Sequence, residues 1–276
     1  MTTEQAANST TRHAIAAGQP QILQQQEWYA RDDRTASPNA MRRLILLRHG
    51  ESQWNADNRF TGWADVDLTS SGEAQAEAAG KLLRDHSVDV ETALTSMLTR
   101  AIRTLWIVLH ASDQTFVPEG KDYLLNERHY GALTGMDKDE AAHRFGADPV
   151  ARWRRGLTDR PPPMAGPDHA ELARDRRYRG VAVPRTENLY DVMQRISAWR
   201  RNTLGPALAI GTVLVVAHGN SLRALLSLFL TLAEAEIMRL EIPHANPLMI
   251  RLDTQARPIE AAYLDPARAA PLPWPS

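Results

Sequence analysis

The chain has no cysteine among its 276 residues. This excludes disulfides, thiolate metal sites and a cysteine nucleophile, and it fits a reducing compartment. Net charge is nearly absent too: 32 Lys and Arg oppose 33 Asp and Glu, leaving −1 at pH 7. Bulk electrostatics therefore gives no attraction to nucleic acid or to a membrane surface, and an acidic ligand has to be held by local groups of Arg and Lys. No apolar run approaches the roughly 18–20 residues of a membrane span. The N-terminus has no apolar core and carries Glu4, Asp32 and Asp33, so no secretory signal is expected and the location left is the cytoplasm. There is no internal repeat, no His-Glu-x-x-His and no Asp-rich pattern, so no metal is expected.

What is present is an ordinary globular composition, 43% apolar and 24% charged, in a chain long enough for a sizeable core. Residues 1–40 differ from the rest. They are rich in Gln, Ala, Ser, Thr and Asn without a sustained period, which predicts a disordered extension, at most loosely helical over residues 22–29. Met41 stands directly before the first strong strand. It is either the true start or the boundary of a dispensable tail, a choice that intact-mass analysis and truncation to Met41 decide. Residues 41–276 are expected to form a single catalytic domain.

From residue 42 the pattern is regular. Leu44-Ile45-Leu46-Leu47 and Val213-Leu214-Val215-Val216 are short continuous apolar runs, as in strands buried on both faces, and a further strand is expected near residues 91–95. Ser70-Ser71-Gly72-Glu73 has capping-box spacing ahead of an Ala- and Leu-rich helix. Met97, Ala101, Leu105 and Val108, and later Leu189, Val192, Met193, Ile196 and Trp199, recur at helical spacing. Gly146 and Gly156 stop two short helices, and the Pro-, Arg- and Gly-rich stretch 157–185 predicts a long surface loop. Helices over 221–230 and 233–240 and weaker strands over 248–252 and 259–263 complete the series. Strands alternate with helices, so the expected fold is α/β, three layers (α/β/α) around a mostly parallel central sheet.

Two of these strands end in histidine: Arg48-His49-Gly50-Glu51-Ser52 and Ala217-His218-Gly219-Asn220-Ser221. Open α/β sheets bind ligands just past the carboxyl ends of their strands. Gly lets backbone approach a ligand, and the helix start after His218 offers free N–H groups to an anion. One such His-Gly reads more readily as a polar residue capping a turn; two, one preceded by Arg, point to chemistry. A neutral imidazole can attack phosphorus, and an adjacent Arg supplies a permanently charged fork that fits phosphate.

Arg48-His49-Gly50-Glu51-Ser52-Gln53-Trp54-Asn55 resembles the signature of the histidine phosphatase superfamily and, more narrowly, that of the bisphosphoglycerate-dependent phosphoglycerate mutases. Further matches are Asn58-Arg59-Phe60-Thr61-Gly62-Trp63, Thr95-Ser96 with Arg100-Ala101-Ile102-Arg103-Thr104, and Leu125-Asn126-Glu127-Arg128-His129-Tyr130-Gly131-Ala132-Leu133. Trp153-Arg154-Arg155-Gly156 and Ala217-His218-Gly219-Asn220-Ser221-Leu222-Arg223-Ala224 complete the set. The resemblance runs over residues 42–263. It implies a phosphoglycerate mutase-like fold and interconversion of 3-phosphoglycerate and 2-phosphoglycerate, primed by 2,3-bisphosphoglycerate, by a homodimer or homotetramer. It assigns the carried phosphoryl group to His49, its surroundings to Arg48, Arg100 and His218, and proton transfer to Glu127. Ser52, Asn55, Thr61, Gly62 and Gly219 would line the pocket. Arg128, Tyr130, Lys138, Arg154, Arg155 and Asn220 would hold the carboxylate and the second phosphate.

The chain departs from that pattern in its N-terminal extension, in the loosely similar segment 161–185, and in Ile242-Pro243-His244-Ala245 where Ile-Pro-Thr-Gly is expected. His13, His86, His110, His143 and His169 are expected at the surface, a ligand role for His129 is less secure than for its neighbours, and Trp106 and Trp199 are expected in the core.

Overall fold

A computed structural model describes residues 42–273. The expected extension, its loose helix, His13 and the Met41 boundary lie outside the described residues. Strand β1 (Arg42–Arg48) leads through a short helix α1 (Gln53–Ala56) to α2 (Ser70–Asp85). Strand β2 (Thr92–Thr95) is followed by α3 (Thr99–Ala111) and a three-residue strand β3 (Glu119–Lys121). Two short helices, α4 (Lys138–Phe145) and α5 (Ala147–Arg155), precede α6 (Gly166–Arg174). Helix α7 (Leu189–Trp199) passes through a π-helical turn (Arg200–Leu204) into α8 (Gly205–Ile210). Then come β4 (Val213–Ala217), α9 (Gly219–Leu230), α10 (Glu234–Arg239), β5 (Leu248–Leu252) and β6 (Pro258–Tyr263).

The strands form one sheet in the order β3-β2-β4-β1-β5-β6. β1, β2, β3 and β4 run parallel, and β5 and β6 add an antiparallel edge, so the sheet is mostly parallel. Period-two alternation sorts each central strand into two cores. Leu44, Leu46, Val213 and Val215 pack against α7, α8 and α9 through Val192, Ile196, Trp199 and Leu225. Ile45, Leu47, Leu214 and Val216 pack against α2 and α3 through Ala76, Leu83, Leu105 and Val108. Each such fully buried aliphatic side chain contributes roughly 1.5–3 kcal/mol, and this double burial makes β1 and β4 the axis of the molecule.

Local details differ from the sequence expectation for physical reasons. The N-cap of α2 is Thr69, whose hydroxyl accepts from the Gly72 N–H at 3.0 Å, so the cap lies one residue before the expected Ser70. Met97 precedes α3 and packs with Tyr123 and Tyr178 around Trp63. Trp106 is 53% exposed, in contrast to Trp199: it falls one residue beyond Leu105, off the buried stripe, and its indole N–H donates to Glu119 at 3.0 Å. The segment 157–185 is not wholly loop. It contains α6, with Pro167 in the first turn where a missing N–H costs no helix bond, and a 3₁₀ turn that buries Tyr178. α9 begins at Gly219, two residues earlier than expected. Strand β3 has no apolar residue to announce it.

One close approach ties the loop after β1 to α2. A Cβ on Gly50 would lie 2.2 Å from the Gly72 carbonyl oxygen, and one on Gly72 would lie 2.0 Å from that of Glu51. Only two glycines allow the two backbones to meet.

Candidate active site

Arg48 of β1 is in register with Ala217 of β4, and the His49 N–H donates to the Ala217 carbonyl at 3.0 Å. The parallel pairing thus delivers His49 and His218 side by side, both buried, with ring centroids 5.0 Å apart. The His49 Nδ1 lies 2.6 Å from the Gly50 carbonyl oxygen. A carbonyl only accepts, so Nδ1 carries the proton and Nε2 keeps its lone pair. Burial first, then His218, Arg100, His244 and Arg48, push the His49 pKa well below its ordinary value. The imidazole is therefore neutral and nucleophilic at neutral pH. His218 is held the same way, by burial and then by Arg100, Arg195 and Arg48; its Nε2 lies 2.8 Å from the Ser96 hydroxyl.

Two guanidinium groups face these rings, each tethered through backbone carbonyls. Arg48 donates to Ile242, and Arg100 donates to Ala64 and Gly62 at 2.9 and 2.8 Å. Burial pulls the Arg100 pKa down to about 10, which leaves it charged. Glu127 stands across the cleft. Its Oε1 accepts from the Arg128 N–H at 2.7 Å and from the Asn220 N–H, in the first turn of α9, at 3.2 Å. Its own carbonyl is fixed by the Trp63 indole at 2.6 Å and by Arg195 at 3.0 Å.

The opposite end of the cleft is built by α4 and α5. Lys138, Arg154 and Arg155 line it together with Arg223. Burial, then Arg154, lowers the Lys138 pKa; burial, then Arg155 and Arg128, pull that of Arg223 down to about 10. Arg155 is paired with Glu241 across the rim. Tyr130 accepts from Asn220 at 3.0 Å and from Arg128 at 3.3 Å; burial alone would raise its pKa, but the Arg128 charge and these bonds leave it below the usual phenol value.

Arg48, His49, Asn55, Thr61, Gly62, Arg100, Glu127, Tyr130, Lys138, Arg154, Arg155, Gly219 and Asn220 all border one cleft of about 720 Å³. Three expected residues act from behind its wall. Ser52 is buried and donates to Asn55 at 2.9 Å, which orients the amide that faces the cleft. Arg128 is fully buried; it donates to the Arg154 carbonyl at 2.6 Å and lies over the Tyr130 ring, so it supports the anion end rather than lining it. His218 stands beside His49. Arg59, Phe60, Arg223, Glu241 and Ile242 also line the cleft. Arg59, Phe60 and Arg223 lay inside motifs already singled out; Glu241 gave no sequence signal, being one exposed carboxylate among many. His129 is buried in the wall, with its Nδ1 accepting from the Gly131 N–H at 3.0 Å. Of the histidines expected at the surface, His86, His110 and His143 are exposed, and His169 is half-buried against the Val183 carbonyl.

Several buried polar atoms at this cleft have no hydrogen-bond partner: Arg48 Nε, Thr61 Oγ1, Arg155 Nη1 and His218 Nδ1. An unpaired buried donor costs about 1–3 kcal/mol, more when charged. Donors of this kind at both ends of one cleft suit a ligand with two anionic groups.

A family profile described as "Histidine phosphatase superfamily (branch 1)" matches residues 44–176 and 167–263. The solved structure of a phosphoglycerate mutase from Bacillus anthracis superposes with a TM-score of 0.58 at 22% identity, covering 79% of this chain and 91% of that one. The alpha-ribazole phosphatase from Shigella flexneri superposes with 0.60 at 22%, covering 80% and 94%. The fold is thus common to mutases and phosphatases, and sequence has to divide them. A Caulobacter sp. protein named 2,3-bisphosphoglycerate-dependent phosphoglycerate mutase is 48% identical over 231 residues, covering 83% of this chain and 98% of that relative. At that identity over nearly the whole relative, the chain belongs to the histidine phosphatase superfamily, branch 1, and within it to the 2,3-bisphosphoglycerate-dependent phosphoglycerate mutases.

Proposed function

We propose that this chain interconverts 3-phosphoglycerate and 2-phosphoglycerate, in glycolysis and gluconeogenesis, through a phosphoryl group carried on His49 Nε2. The observation that carries the reading is the buried His49, its Nδ1 held by the Gly50 carbonyl and its Nε2 left for attack, lining the same cleft as Lys138, Arg154, Arg155 and Arg223. Transfer asks for in-line positioning and positive charge around the equatorial oxygens. Arg48, Arg100 and His218 surround the transferred group, while the distal cations and Tyr130 hold the carboxylate and the second phosphate. As the substrate hydroxyl attacks, its O–P bond forms, the Nε2–P bond breaks and the proton passes to Glu127. After reorientation, Nε2 attacks the other phosphorus and Glu127 returns its proton to the leaving oxygen. The unpaired donors Arg48 Nε, Thr61 Oγ1 and Arg155 Nη1 fit 2,3-bisphosphoglycerate. When bound, that primer supplies the first phosphoryl group to His49, and no metal is needed.

The test is to incubate the protein with 3-phosphoglycerate, with and without catalytic 2,3-bisphosphoglycerate, and to measure 2-phosphoglycerate and free phosphate together. Primer-stimulated isomerisation with little phosphate release is expected; phosphate release without isomerisation would make the chain a phosphatase.

Residues 41–276 are proposed as the catalytic unit, with residues 1–40 dispensable, in the cytoplasm. No described helix is long and apolar enough to cross a membrane. A homodimer or homotetramer is the proposed assembly. Its support is the outer edge of β3, which pairs with no other strand among the described residues, and the Trp106 and Phe116 side chains, 53% and 81% exposed, near that edge. Sedimentation at micromolar concentration checks it.

A further inference from the structure

In Ile242-Pro243-His244-Ala245 the Ile242 carbonyl tethers Arg48, while the reaction above gives His244 no role. In the structure it lies directly against the His49 loop. The Ala245 N–H donates to the Arg48 carbonyl at 2.9 Å, and His244 Nδ1 lies 2.9 Å from the next carbonyl, that of His49. Because the acceptor is a carbonyl, Nδ1 is the protonated nitrogen of His244. Burial, then the Arg48 charge, hold its pKa down to about 3, so the ring is neutral. Its centroid is 5.5 Å from that of His49, edge to face, while on another side of His49 the His218 centroid lies 5.0 Å from the His49 ring.

The His49 carbonyl belongs to the peptide unit that joins His49 to Gly50. The other end of that unit, the Gly50 N–H, donates to Thr104 Oγ1 at 3.1 Å. The peptide is thus held at its oxygen by His244 and at its nitrogen by Thr104. This matters because the carbonyl of Gly50, in the next peptide, sets the tautomer of His49. That peptide is anchored at its far end by the Glu51 N–H, which donates to Gln75 Oε1 at 3.0 Å, and at its near end by the His49–Gly50 peptide. Loosening the near end shifts the Gly50 carbonyl from Nδ1, and the His49 proton is then free to move to Nε2, where it blocks attack on phosphorus.

We propose that His244 is a positioning residue for the phosphoryl-carrying histidine: its Nδ1–H pins the His49–Gly50 peptide and so keeps His49 in the tautomer with a free Nε2. This inference rests on His49 being the phosphorylated residue.

The experiment compares His244→Ala and His244→Asn with the parent. Asn can place an N–H close to where Nδ1 sits. In His244→Ala, kcat is expected to fall about tenfold, with KM for 3-phosphoglycerate changed less than about twofold. The rate of phosphohistidine formation from 2,3-bisphosphoglycerate should fall in step, and ¹⁵N NMR of labelled histidine should show His49 as a tautomer mixture. His244→Asn should recover at least half of the lost rate and the single tautomer. Unchanged kcat and an unchanged His49 tautomer in His244→Ala overturn the proposal, and so does an equal defect in both variants with the tautomer intact. Absence of phosphate on His49 in the parent protein would instead overturn the catalytic reading beneath it.

Discussion

The two ends of the cleft are built by different means. At the phosphoryl end, Arg48, His49, Arg100 and His218 follow or adjoin the carboxyl ends of parallel strands, and every one is tied to a backbone carbonyl or a buried hydroxyl. At the distal end, Lys138, Arg154 and Arg155 project from helices of eight and nine residues, and Arg155 reaches across to Glu241 on another segment. The first end is preorganised for one geometry, as in-line transfer demands. The second carries its charge on long side chains from short helices, and in the proposed reaction a substrate that must turn over between half-reactions needs an anion site it can leave and re-enter.

That contrast can be broken by mutation. The largest effect is expected at the rigid end: His49→Ala should abolish turnover and the acid-labile phosphate of the primed protein, read by coupled assay and ³¹P NMR. Glu127→Gln comes next, with a loss of about 10²–10⁴-fold in transfer; a loss below about threefold would move the proton-transfer role elsewhere. At the distal end, replacing Arg154 and Arg155 by Ala together should raise KM for 3-phosphoglycerate and harm isomerisation more than hydrolysis of a simple phosphate monoester. Equal losses in both assays would deny the two ends separate roles.

The most graded effect is on stability against pH. His49, His218, His129 and His244 all have pKa values lowered by burial, those of His129 and His244 to about 4 and about 3. Below the ordinary value of 6.5 the unfolded chain takes up protons that the folded chain refuses. Folding stability is therefore present above about pH 6.5 and is lost as the pH falls, by about 1.4 kcal/mol per group per pH unit until the folded group titrates. Thermal melts between pH 7.5 and 4.5 should show Tm falling with acid, and a flat profile would contradict buried neutral histidines.

The same contrast explains what the sequence could disclose. The apolar runs at Leu44–Leu47 and Val213–Val216, each ending in histidine, disclose the sheet axis and the rigid end, because burial on both faces leaves a continuous pattern. Resemblance added Glu127 and the distal arginines. Local patterning misplaced Trp106 because a stripe only two or three residues wide leaves its neighbours ambiguous, and it missed α6 because Pro167 reads as a loop residue until its place in the first turn is known. Glu241, paired with Arg155 86 residues earlier, and His244, bonded to His49 195 residues earlier, are set by tertiary contact alone.

The meeting of Gly50 with Gly72 decides where substrate traffic can pass. With α2 seated on the loop after β1 backbone to backbone, and the His49 and Ala245 N–H groups bonded to β4 and β1, that side of the molecule is expected to open less readily than the helical side. In deuterated solvent these amides should be among the last to exchange, while those of α4 and α5 exchange early. Entry and exit are then expected on the helical side, so the rate at which product leaves should depend on the same short helices that carry the proposed second anion site.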